Sequence, residues 1–191
     1  FTLGWITTTI MGALCKFLPV ALGVPIRSER FAHWTFALYV PGLLLFIGAM
    51  LAGAMGPILL GAVLFGTALL LFSGNLAATL HTASRRDLTW WALAVATVSL
   101  TVTVILGASL AGNLNYGYLD AGHRMVALGV HLHVAVAGWV LPVMVGVAHR
   151  LLPMFLLSHG ASELPGRLAL GLLAGGVTLL LALHHYLTPW L

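Results

Sequence analysis

The sequence predicts an all-α protein, a polytopic bundle of about six membrane-spanning helices built from parallel four-helix repeats with pseudo-rotational symmetry. Three observations carry this. Of 191 residues, 61% are hydrophobic and 6% charged, against roughly 25% charged in a soluble domain. The apolar residues fall into runs long enough to cross a bilayer, about 20 residues each. A Gly-Trp, Gly, Leu-Pro pattern also recurs at an offset of 134 residues.

The spans are taken in order, marked off by charges, Gly/Pro pairs and polar clusters. The first runs from before Phe1 to about Leu22, since Phe1-Thr2-Leu3-Gly4-Trp5 already lies inside an apolar run. The chain is therefore read as the C-terminal part of a longer protein, a single transmembrane domain over residues 1–191. The second span covers about Phe31 to Gly53, with Pro41 as an expected kink. The third covers about Pro57 to Leu80, its proline placed where a first turn tolerates one. The fourth runs from about Leu88 to Ala111, the fifth from Gly122 to Leu152, and the sixth from Pro165 to Tyr186. The connections are short, as in a compact bundle.

Charge orients the spans. Lys16, Arg27, Arg30, Arg85, Arg86, Arg150 and Arg167 all fall at or near the connections joining spans one and two, three and four, and five and six. Arg124, beside Asp120, stands alone on the opposite side. The positive-inside rule puts the arginine-rich connections in the cytoplasm. Because the eight basic residues are scattered rather than gathered in a patch, the net charge of +4 does not point to nucleic acid. The one cysteine, Cys15, excludes an internal disulfide and is read as a small buried apolar residue.

In the repeat, Gly4-Trp5, Gly12 and Leu18-Pro19 stand opposite Gly138-Trp139, Gly146 and Leu152-Pro153, with Lys16 opposite Arg150. The offset contains four spans, so both copies point the same way through the membrane. One unit covers residues 1 to about 121 and the second begins near 122. Parallel repeats imply an axis along the membrane normal.

Nine histidines in so apolar a chain call for a reason. His81 and His159 fall in connections, where solvation suffices. His33 and His149 fall at interfaces, His123 in the outer connection, and His184 and His185 near the outer end of the sixth span, within reach of a cofactor edge. His131 and His133 differ. They lie nine and eleven residues past Gly122, about 13–17 Å into the membrane at about 1.5 Å per residue. Ionisable groups at that depth are costly and usually functional. Two positions on a helix are about 200° apart, so the rings leave on opposite faces and cannot chelate one small ion. They suit separate partners, such as a planar haem on either flank. The alternative is that both bond across helices as structural glue.

The stretch Asn115–Pro153 (NYGYLDAGHRMVALGVHLHVAVAGWVLPVMVGVAHRLLP) resembles the tenth helix of subunit I of haem–copper oxidases and nitric oxide reductases, with its His-x-His motif and small-residue run ending near Leu-Pro. The Gly-Ala-Ser-Glu-Leu-Pro-Gly-Arg loop and the sixth span resemble the family's next connection and its eleventh helix. The family's parallel four-helix units match the repeat, so the chain corresponds to helices six to eleven. The resemblance implies a bacterial inner membrane and a b-type haem protein with one or two haems. In it His131 is the axial ligand of a gas-binding haem and His133 a ligand of an electron-carrying haem. Other membrane subunits and an electron donor are implied as partners, beside the lipid bilayer, as is oxidoreductase chemistry on nitric oxide or dioxygen.

The departures are equally specific. The family's copper site needs an adjacent histidine pair on the second span, which carries only His33, and this argues against copper. The carboxylates Glu29, Asp87, Asp120 and Glu163 all lie in connections, so none is placed to conduct protons through the membrane. The fourth span offers only hydroxyls, Thr97, Ser99, Thr101 and Thr103. A cofactor-free scaffold or accessory subunit is the alternative function. A transporter is disfavoured, because no span is broken by polar backbone.

Overall fold

The computed structural model describes residues 2–157 and 162–187. All the regular structure there is helical. Helix α1 (Thr8–Leu22) is preceded by a π-helical segment, Thr2–Thr7. Then come α2 (Glu29–Ala52), α3 (Met55–Thr82), α4 (Leu88–Tyr116) and α5 (Ala121–His133). A second π-helical segment, Val134–Val140, joins α5 to α6 (Leu141–Phe155), and α7 (Leu164–Leu187) completes the order. Taken as continuous rods, these give six helices long and apolar enough to span a membrane, the fifth running Ala121–Phe155. The protein is a multi-pass helical bundle.

Local chemistry sets the ends. The side chains of Ser28, Asp87 and Asp120 each accept from a backbone N–H three residues on, at Phe31, Trp90 and His123. That is the bond an N-cap supplies to an otherwise orphaned donor. Gly23, Gly53 and Gly117 close α1, α2 and α4 in the left-handed region, at φ of 68°, 65° and 63°. The last of these corrects the sequence expectation. The fourth helix does not stop near Ala111 but runs on to Tyr116. Gly112 stays helical, and Asn113 turns its Oδ1 inward to accept from Leu119 N at 2.6 Å. α2 runs through Pro41, as the expected second span does.

The core lies between α1, α3, α4 and the rod of α5, the second π segment and α6. Met11, Leu14 and Leu18 meet Phe72, Leu76, Leu93, Leu100 and Trp139 there. α2 lies against α3 at backbone contact. A Cβ on Gly42 would sit 2.6 Å from Phe65 N, and one on Gly61 would sit 2.6 Å from Phe46 N. Small residues are what permit such an approach where lipid removes any hydrophobic drive between helices. α7 closes the far side through Val177, which packs with Val126, Val130 and Val134.

Interior hydroxyls answer to backbone. Thr97 donates to Leu93 O at 2.7 Å, Thr103 to Ser99 O at 2.8 Å, and Ser73 to Thr97 O at 3.2 Å. Asn75 binds the first connection at both groups of Ser28, accepting from N at 3.0 Å and donating to O at 2.8 Å. Arg27 N donates to Thr79 Oγ1 nearby. Trp90 Nε1 donates to Leu80 O, and Thr89 donates to Gly146 O. These bonds gather Arg27, Arg30, Arg85, Arg86 and Arg150 at one end of the bundle.

Candidate functional site

The α5 helix begins at Asp120, outside the membrane-spanning segment. The carboxyl of Asp120 is held below the ordinary carboxylate range, first by the backbone N–H of His123 and then by its ring. From that cap the helix carries His131 and His133 inward, and the second π segment begins at the next residue. π-helical turns are frequent at functional sites.

The two imidazoles meet different surroundings. The ring of His131 is half-buried against α4. A Cβ on Gly107 would stand 3.0 Å from its Cε1, so any larger residue there presses on the ring. It also interacts with the backbone of Thr103. Its Nδ1 is buried and has no hydrogen-bond partner among the described residues. His133 is exposed, and its Nδ1 lies 2.8 Å from Gly129 O. A carbonyl only accepts, so Nδ1 carries the proton. The lone pair is thereby left on Nε2, directed away from the helix backbone. That is the arrangement in which a histidine usually ligates a metal, its other nitrogen tied to a carbonyl or carboxylate.

A haem can be tested against these flanks. At His133 the tautomer is right and the flank is open, with Leu132 and Val136 also exposed. At His131 the ring lies half-buried against α4 beside Gly107, a tighter flank than that of His133. Among the described residues no three His, Cys, Asp or Glu side chains gather as a metal site.

The remaining histidines stay apart from this pair. His33 Nδ1 donates to Glu29 O at 2.7 Å, and His184 Nδ1 to Leu181 O at 2.7 Å. His123 pairs with Asp120 at 2.5 Å, and His149 lies 3.9 Å from Glu163. His81 is exposed. His159 and the side chain of His185 fall outside the described residues.

Three features were not read from the sequence. Gly107 is the seat of His131. Trp139 is buried with its Nε1 unpartnered among the described residues, and its ring meets Phe72 edge-on at 6.1 Å. Asn113 is buried with an unpartnered Nδ2. The available signal was the spacing of small and polar residues on the fourth span, whose register against the fifth no single span encodes. Comparisons with family models, curated proteins and solved structures find no match for the chain.

Proposed function

We propose that this is a membrane haem protein of the haem–copper oxidase subunit I-like type, holding a b-type haem at His133 for electron transfer. One observation carries the reading. An imidazole deep in a lipid-facing helix has its proton committed to Gly129 O and its Nε2 lone pair aimed outward. An exposed polar nitrogen at that depth is costly unless something satisfies it. Iron coordination is the satisfaction that this tautomer suits.

When bound, the haem supplies one-electron carriage between ferric and ferrous iron. The chain's own residues do the rest. Gly129 fixes the ring, and Leu132 and Val136 keep the flank apolar. The Gly-Trp repeat and its direction support the four-helix-unit architecture. The gathering of arginines at one end supports placing that end in the cytoplasm of a bacterial inner membrane. His131, half-buried against α4, is assigned no step.

The test is an absorbance spectrum and iron analysis of the purified full-length protein. A Soret band with stoichiometric iron is expected; a colourless, iron-free protein ends the reading. The second reading is a cofactor-free scaffold subunit. It is favoured by the interior hydroxyls, which are bonded to backbone. A colourless protein that purifies stably within a larger complex supports it.

A further inference from the structure

A groove of about 330 Å³ runs between α4 and α7. Val134 lines it from the second π segment, with Val98 and Val102 of α4 and Ala174 and Leu181 of α7. Its lining is overwhelmingly apolar. Thr178 is an exception, and its hydroxyl is already donated to Ala174 O at 2.8 Å.

At the arginine-rich end the groove starts at Trp91. That ring meets Trp90 edge-on at 4.8 Å, and the guanidinium of Arg86 lies over Trp90, 4.8 Å from its centroid. Trp90 is itself held by its N–H bond to Leu80 O at 2.9 Å. Arg85 and Arg86 are exposed, and neither forms an ion pair with a carboxylate among the described residues. The nearby carboxylate is Asp87, which caps Trp90 N, so two cations stand against one anion. Arg167, near the start of α7, is by contrast paired with Glu163 at 2.7 Å.

Cation, aromatic pair and apolar trough are thus contiguous. From Trp91 to Val102 the trough covers about 16 Å along the helix at about 1.5 Å per residue. This is roughly half of a hydrocarbon core about 30 Å thick, the depth of one leaflet. We propose that α4 and α7 form a specific site for an anionic phospholipid of the leaflet at the arginine-rich end. The lipid phosphate rests on Arg85 and Arg86, and one acyl chain lies in the groove. Charge complementarity selects this occupant over a neutral lipid or an apolar helix, since neither answers the unpaired arginines. Basic pockets between membrane helices bind anionic headgroups in this way.

The test places the full-length protein in phosphatidylcholine vesicles containing rising fractions of phosphatidylglycerol with brominated acyl chains, which quench indole fluorescence. Subtracting a Trp91→Phe variant isolates Trp91. Quenching of Trp91 should saturate at low mole fraction, with brominated phosphatidylcholine at least tenfold weaker. Removing both charges in R85Q/R86Q should weaken the preference about fivefold per charge, whereas R85K/R86K should keep it. Ala174→Phe should remove the saturating phase by filling the groove. If that variant fails to fold, the exposed arginine variants decide alone. Equal, linear quenching by the two lipids overturns the proposal, as does an unchanged preference in R85Q/R86Q. Shielding of Trp91 from both lipids, with a second copy of the chain found by native mass spectrometry, also overturns it.

Discussion

The first and fifth spans carry the same pattern and use it differently. In both, the Gly-Trp pair sits in a π-helical segment, and in both a proline lies inside the helix, Pro19 and Pro153. Their surroundings diverge. Trp139 is 2% exposed and packs on Phe72, whereas Trp5 is 69% exposed. A Cβ on Gly138 would meet Ser99 at 2.7 Å and one on Gly146 would meet Ala92 at 2.9 Å. On Gly4 the nearest atom would be Leu43 Cδ2 at 3.8 Å, and around Gly12 there is open space. The small residues thus mark a face built for close approach. In the fifth span α4 fills that face; in the first, among the described residues, only Leu43 reaches it, at Gly4.

The largest expected effect concerns the tryptophans. Trp139→Ala should destabilise the protein by about 3–5 kcal/mol, as for large core aromatics, while Trp5→Ala should stay within about 0.5 kcal/mol. Reversible unfolding in mixed detergent micelles measures both, and equal costs would erase the contrast. Next come the glycines. Gly138→Ala and Gly146→Ala should each cost about 1–3 kcal/mol through overpacking. Gly12→Ala should be neutral or favourable by up to about 1 kcal/mol, from helix propensity. A costly Gly12→Ala would show that the open face is covered in the intact protein.

The connections sharpen the comparison further. Asn75 is buried and binds both groups of Ser28, so Asn75→Ala should cost about 1–3 kcal/mol by leaving backbone unpaired. At the start of α7 the Glu163–Arg167 pair lies instead at the surface, within one turn. Glu163→Gln should therefore cost no more than about 1 kcal/mol, read in the same unfolding assay.

The smallest effect is at Asp120. Its folded carboxyl titrates below the ordinary value of 3.8, so its contribution is complete above that value and lost as pH falls toward the folded one. Amide exchange at Gly122 to Arg124 should accelerate below about pH 4. In Asp120→Ala, which removes the accepting oxygen, it should be fast and pH-flat beyond intrinsic exchange. Unchanged protection across that window would mean that the cap does not hold the helix start.

The spans and the arginine asymmetry were legible in the sequence, because each is written within one stretch of chain. The caps Ser28, Asp87 and Asp120 were not read, although their residue types suit helix starts. The end of α4 was misread because Gly112 and Asn113 look like a stop, and only tertiary burial of Asn113 shows otherwise. His131 and His133 stood out because imidazole is expensive in lipid. Their surroundings did not, since the meeting of His131 with Gly107 depends on the register between two helices. The π-helical segments were also invisible, because widening a turn leaves the apolar pattern unchanged.

The proposed haem rests on His133 and not on His131. Reduced-minus-oxidised spectra of the full-length protein should compare His133→Ala with His131→Ala, each checked for folding by its unfolding transition. The account predicts that the haem bands vanish in His133→Ala and survive in His131→Ala. Bands unaltered by the loss of His133, or removed only with His131, would contradict it.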